Sequence, residues 1–268
     1  MKIRILLTLV FLLSAAAVKA EEKLVIGGSG SLTDEIQDVA KAYMAKNPGV
    51  SIQVLMDSMS SSGGMEGVKV GRLTIGLVTR EPRGEEKDKL VYRAVGRTPV
   101  GVAVHKSLPV TNLTEAQVCD IFGGKIKSWK DVGGSDAKIT VLSRNKDDVN
   151  FDTMKSRMAC FKDTHITDGA VVLIRGSEVL DALDRRPGMI GIVNVAASLT
   201  ERQNVKALSI GGVAPTVETV RSGKYKFYAE RGVVTLGQPQ GTVKKFLDFA
   251  AGPEAQKLLT QRGLIPVM

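Results

Sequence analysis

The chain of 268 residues is 43% hydrophobic but only 4% aromatic, and it carries a formal net charge of +9. Its basic residues are scattered, with no Lys/Arg tract interleaved with aromatics, which argues against a nucleic-acid binder and leaves small anions, or solubility alone, as the reason for the charge. The two histidines, His105 and His165, and the two cysteines, Cys119 and Cys160, lie too far apart to form a metal site at ligand spacing, so no metal and no cofactor is expected.

Residues 1–20 read as a cleaved signal peptide. Lys2 and Arg4 precede an apolar core over residues 5–13, and Val18 and Ala20 suit a cleavage point after Ala20. The apolar core is too short to anchor in a bilayer, and no cysteine lies near the cleavage point to take a lipid. The expectation is a periplasmic, secreted and soluble chain without a lipid anchor. The 248 residues that remain suit one large domain or two lobes with separate cores. In an oxidising compartment Cys119 and Cys160 are expected to pair, with two separately buried thiols as the alternative.

Residues 24–26 (LVI) form a short apolar run that reads as a strand. Gly27-Gly28-Ser29-Gly30-Ser31 then turns into a segment with apolar residues at Leu32, Ile36, Val39, Ala40, Tyr43 and Met44, which is helical spacing on one face. Ser31 and Asp34 resemble a capping box. A small-residue turn between strand and helix leaves N–H groups at the positive end of the helix dipole, an arrangement that suits an anion; a tight turn alone also uses such residues. A strand is predicted over residues 51–56, a Ser/Gly loop over 57–64 and a helix near 65–70. A buried strand follows over 73–78, then a polar, helix-prone stretch from Pro82 to Leu90.

Further strands are predicted over residues 100–104, 138–142 and 189–193. Helices are expected over 113–122, capped by Thr114, over 150–161 with a stripe of Phe151, Met154, Met158 and Phe161, and over 177–184. Residues 225–236 read as extended, and 241–250 and 253–261 as helices. Such alternation predicts an α/β fold with parallel strands and helices on both faces. Ligands of open α/β sheets gather at the carboxyl ends of strands. Three loops fall there: Ser29–Ser31, the serines before Gly64, and the turn at Arg144. Hydroxyls, N–H groups and a guanidinium fork are what a tetrahedral oxyanion needs. No nucleophile elbow or nucleotide P-loop is present, so the chain is not expected to be an enzyme.

The run from Asn112 to Gln117, followed by Ile121-Phe122-Gly123-Gly124-Lys125-Ile126-Lys127-Ser128-Trp129 through Gly134, resembles the signature segment of phosphate-binding proteins of phosphate ABC importers. Ser61-Ser62-Gly63-Gly64, the run from Pro215 to Tyr225 and the C-terminal helices with Gly263-Leu264-Ile265-Pro266 agree. The resemblance implies a two-lobed periplasmic-binding-protein fold of type II, flytrap-like, with a mixed, mostly parallel sheet in each lobe. Lobe I would comprise residues 21–100 and 226–268, and lobe II residues 101–225, with hinges near Pro99–Val104 and Tyr225–Tyr228. It implies a monomer that closes on phosphate or a related oxyanion and docks on an inner-membrane ABC permease.

By the same resemblance the anion would be held by Ser29, Gly30, Ser31, Ser61, Ser62, Arg80, Arg144 and Asp148. Two positions depart from the family. Ser-Gly-Thr typically follows the lobe II arginine by four to six residues, where this chain has Asp148-Val149-Asn150, and Arg80 stands where some members have an acid. Asp148 would then accept the proton of hydrogen phosphate, or merely cap the following helix; Arg144 would bind the anion, or pair with Asp147 or Asp148. The alternative function is a non-transport sensor or partner-binding protein on the same scaffold with a degraded anion site.

Overall fold

The computed structural model describes residues 22–144, 148–195 and 202–267; the signal peptide read over residues 1–20 lies outside them. In chain order the elements are β1 (Glu22–Gly28), α1 (Thr33–Lys46), β2 (Val50–Val54), α2 (Ser60–Lys69), β3 (Ile75–Val78), β4 (Leu90–His105), β5 (Asn112–Leu113), α3 (Glu115–Phe122) and β6 (Thr140–Arg144). After these come α4 (Val149–Arg157), α5 (Ala159–Lys162), β7 (Val171–Leu173), α6 (Gly176–Arg185), β8 (Met189–Asn194), β9 (Val205–Ala207) and β10 (Ser209–Ile210). The chain closes with α7 (Val217–Arg221), β11 (Tyr228–Leu236), α8 (Gly241–Ala250), α9 (Pro253–Gln261) and β12 (Ile265–Pro266). Among the described residues no helix is long and apolar enough to cross a membrane.

The main sheet runs β2-β1-β3-β11-β4-β8-β6-β7. Its pairs are parallel toward both ends, β1 with β2 and β3 and β6 with β7 and β8. They are antiparallel in the middle, where β11 meets β3 and β4 and where β4 meets β8. The strand β4 belongs to both halves. Up to Pro99 it pairs with β11, and from Val100 onward with β8 and then β9.

Two main cores follow from this. One joins Leu24, Ile26, Ile36, Val39, Tyr43, Ile75 and Val95 to Val233, Phe246, Leu247 and Leu259 near the other end of the chain. The apolar stripe of α1 supplies its middle, and Tyr43 meets Phe246 edge-on at 5.4 Å. The other core draws on residues 100–229, with Trp129, Phe122, Phe151 and Phe161 fully or almost fully buried. Trp129 donates its Nε1 hydrogen to the Gly188 carbonyl at 3.0 Å, so the polar atom of this large buried ring is satisfied. Cys119 of α3 and Cys160 of α5 are joined by a disulfide, S–S 1.99 Å, inside this second core's region.

Several boundaries differ from the sequence reading. The stripe Phe151, Met154, Met158, Phe161 is buried as expected, but the helix over 150–161 breaks at Met158, whose φ of −118° and ψ of 109° are extended. The polar stretch from Pro82 forms only a 3-10 turn, Gly84–Lys87. The strand expected over 100–104 is the second part of the sixteen-residue β4. Thr114 caps α3 as expected, accepting from Gln117 N–H at 3.1 Å in a capping box. Ser31 and Asp34 do not form one: α1 is entered through a 3-10 turn at Gly30–Leu32, and neither start carries a side-chain cap.

Candidate functional site

The first group of site residues gathers beyond the carboxyl ends of β1 and β3. Close packing of backbone explains the glycines before it. A Cβ on Gly64 of α2 would stand 2.9 Å from the Leu77 carbonyl and 3.0 Å from Gly28 Cα, and Gly28 itself has φ +140°. The α2 helix therefore sits directly on the strands, with its start beside the turn at Ser29. The Met59 N–H donates to the Gly28 carbonyl at 2.8 Å, the Ser29 N–H to Leu77 at 2.9 Å, and the Gly30 N–H to Ser58 Oγ at 3.0 Å.

On this base the hydroxyls are paired. Ser29 Oγ and Ser31 Oγ lie 3.0 Å apart, and Ser61 Oγ is 3.0 Å from both Thr79 Oγ1 and the Thr79 N–H that donates to it. Arg80 donates through Nη2 to Ser62 Oγ at 3.3 Å, and through both terminal nitrogens to Glu86, at 2.6 and 2.7 Å. That fork holds the Glu86 carboxyl down to about 2 and raises Arg80 above its usual value. So Ser29, Gly30, Ser31, Ser61, Ser62 and Arg80 are brought together, while most of the Arg80 charge is met by Glu86.

The second group lies where β6 ends and α4 begins. Arg144 Nε donates to Asp148 Oδ2 at 2.9 Å, and its Nη1 reaches the Leu173 carbonyl at 3.5 Å. Asp148 Oδ1 accepts from the N–H groups of Asn150 and Phe151 at 3.0 and 3.1 Å. Asp148 is thus the N-cap of α4, and its carboxylate lies on the donors that an oxyanion takes at a helix start. The pair is not a surface bridge, since only 14% and 8% of the two side chains is exposed. Asp147 lies outside the described residues.

Electrostatics connects the two groups. Asp152 in the first turn of α4 acts on Arg80. Between the groups sits Arg231, which the sequence reading passed over. It lies at the irregularity of β11 between Arg231 and Gly232. Because Gly232 faces Val78, Arg231 stands just past the carboxyl end of β3. It is 2% exposed, and its Nε and Nη1 have no hydrogen-bond partner among the described residues. Burial pushes it down to about 10, opposed by the charges of Glu35 in the first turn of α1 and of Asp148. Burial in turn raises the Glu35 carboxyl.

Among the described residues no group of His, Cys, Asp and Glu could hold a metal ion; His165 lies exposed beside Asp168. The arrangement of hydroxyls, helix starts and guanidinium groups is suited to holding an anion.

Comparison with known proteins bears on the family and the fold. A family model described as a PBP superfamily domain matches residues 14–254. The chain is 31% identical over 258 residues to the phosphate-binding protein PstS of Bacillus subtilis, covering 93% of this chain and 82% of that protein. A structure from Clostridium perfringens, assigned as a phosphate ABC transporter substrate-binding protein and solved with bound phosphate, superposes with a TM-score of 0.77 at 28% identity, over 92% of this chain and all of that one. The fold extends further: the effector-binding domain of a BenM variant matches with a TM-score of 0.57 at 16% identity, over 91% of this chain and 97% of that one.

Proposed function

The chain belongs to the PstS phosphate-binding protein family of the PBP superfamily, and from that premise we propose that it captures phosphate, or a closely related oxyanion, between two lobes and hands it to an ABC permease. It is a binding protein and not an enzyme. The observation that carries the reading is the meeting of two anion-suited groups at one edge of the sheet. Ser29, Ser31, Ser61 and Arg80 come from one core, and Arg144 and the start of α4 from the other. Each group satisfies only part of a tetrahedral anion, so full coordination requires the lobes to meet, and binding and closure are linked.

The lobes are residues 21–100 with 226–268, and 101–225. The change of β4 partners between Pro99 and Val100, beside Phe227 and Tyr228 of the returning chain, supports hinges at those positions. Lobe closure makes the surface that the permease reads. The chain works as a monomer in the periplasm after removal of residues 1–20.

A titration with phosphate, arsenate and sulfate tests this. At a micromolar Kd, 1 mM phosphate stabilises the protein by about 4 kcal/mol, roughly 10 °C in melting temperature, and the radius of gyration falls in solution scattering. If no oxyanion at that concentration moves either quantity, the receptor reading gives way to a non-transport, partner-binding role. Asp148, lying on the α4 donors, is the observation that favours this second reading.

A further inference from the structure

Resting on the oxyanion-receptor reading, we infer that Arg231 is a direct ligand of the anion, donating to it through its guanidinium from β11, close to the hinge. Three observations converge. The first is position. Arg231 lies on β11 just past the carboxyl end of β3, the edge at which Thr79 and Arg80 continue and Ser61 is tied to Thr79. The charges that act on it are Glu35, in the first turn of α1, and Asp148, the cap of α4. It therefore stands between the starts of α1 and α4, one from each side of the site.

The second is the state of the other arginines. Arg80 gives both terminal nitrogens to Glu86, and Arg144 gives Nε to Asp148. Each of these cations already has a carboxylate at hydrogen-bond distance. Arg231 has none: the carboxylates that act on it do so through space, and its Nε and Nη1 lack any acceptor among the described residues. The third is burial. A guanidinium that is 2% exposed with two unmatched donors is costly to the unliganded fold, and such groups in native proteins call for an explanation. Nε and Nη1 lie on opposite edges of the guanidinium plane, so a tetrahedral oxyanion takes one of them together with Nη2 in a fork, with charge on both sides of the contact.

Placing the contact on β11 has a further effect. This strand pairs with β3 and with β4 up to Pro99 and begins at the hinge, so a ligand held by Arg231 is held by lobe I close to the hinge.

The test is isothermal titration of inorganic phosphate into wild type, Arg231→Met and Arg231→Lys, with melting of each unliganded protein. Methionine keeps the bulk and removes the unmatched charge. Unliganded Arg231→Met is expected to melt at or above the wild-type temperature, while its phosphate Kd rises at least a hundredfold. Lysine keeps the charge without the fork, and its Kd rises about tenfold. If wild type binds phosphate and Arg231→Met binds within threefold of it, the inference falls and the receptor reading stands. If wild type itself binds no phosphate, the receptor reading falls first and takes this inference with it. If neither variant folds, Arg231 is a structural charge balanced by Glu35 and Asp148, and the inference is overturned.

Discussion

Replacing Asp148 by serine should make the unliganded protein weaker and the liganded one stronger. The Asp148 carboxylate accepts from Asn150 and Phe151 N–H and from Arg144 Nε. Serine is a good N-cap and keeps one main-chain bond, but Arg144 loses its counter-charge in a site where it is only 14% exposed. Loss of one charge-assisted bond costs about 2 kcal/mol, and for a chain of this size that lowers the melting temperature by roughly 4–8 °C. With an anion present the sign reverses. A carboxylate about 5 Å from a bound charge repels it by about 3 kcal/mol at an effective dielectric near 20, so its removal tightens binding by more than tenfold. Sulfate gains all of that relief. Hydrogen phosphate gains less, because three of roughly four acceptor positions on Asp148 are taken and the last is the one that its proton uses. Asp148→Ser should therefore lower the preference for phosphate over sulfate. Isothermal titration of both proteins with both anions, beside melts without ligand, measures each part. An unchanged phosphate-to-sulfate ratio together with unchanged affinity would leave Asp148 as a helix cap alone and refute the reasoning.

Three other outcomes follow from the same geometry. Replacing Cys119 and Cys160 by serine opens a bridge across 41 residues and should cost about 4 kcal/mol in the chain-entropy model; coincident urea midpoints with and without reductant would contradict this. The Glu86 carboxyl, held at about 2 by Arg80, gives stability that is complete above its unfolded value near 4.5 and lost as pH falls through about 2. The full shift is worth about 3 kcal/mol, and solvent screening of this partly exposed pair leaves about 1, so Glu86→Gln should flatten the acid limb of a stability-versus-pH curve between pH 5 and 2, and parallel curves would count against it. Gly64→Ala presses a methyl onto the Leu77 carbonyl and Gly28 Cα and should destabilise by about 1–3 kcal/mol while disturbing the turn at Ser29, read out as a lower urea midpoint and a weaker phosphate isotherm.

Most of the architecture was legible because it rests on periodicity. The stripe of α1, the buried β3 and the cap at Thr114 are each stated by a few neighbouring residues, and the Ser/Gly turns announce the edge where the site lies. What was not legible depends on partners remote in sequence. Residues 90–99 do not read as a strand because Arg93 and Arg97 interrupt them, yet β11 pairs with both ends of the stretch, shifting register once opposite Val95, and Arg97 finds cover by lying over the Tyr228 ring at 4.5 Å. The break at Met158 is invisible in a stripe that continues on the same buried side. Asp148 could be placed in the pocket from its spacing to Arg144, but whether it met an anion or its own helix depended on main-chain geometry. Arg231 had a signal, a single cation inside the apolar run of β11, but only the fold brings Glu35 and Asp148 to it from opposite ends of the site.

The split of the first core between residues 24–95 and 233–264 governs the order in which this protein can assemble. A chain produced from its N-terminus presents β1, β2, β3 and α1 early, but β3 has no neighbour on its inner side until β11 arrives, and Tyr43 has no ring to meet until Phe246 and Phe249 do. The intervening residues 100–229 supply nearly all of their own core and both halves of their covalent cross-link, so they consolidate first. For that interval the N-terminal third remains an open sheet edge, the state in which strands join the wrong partner. Truncation after residue 227, which removes β11, would leave the protein in that state permanently, with a folded middle and an unfinished beginning.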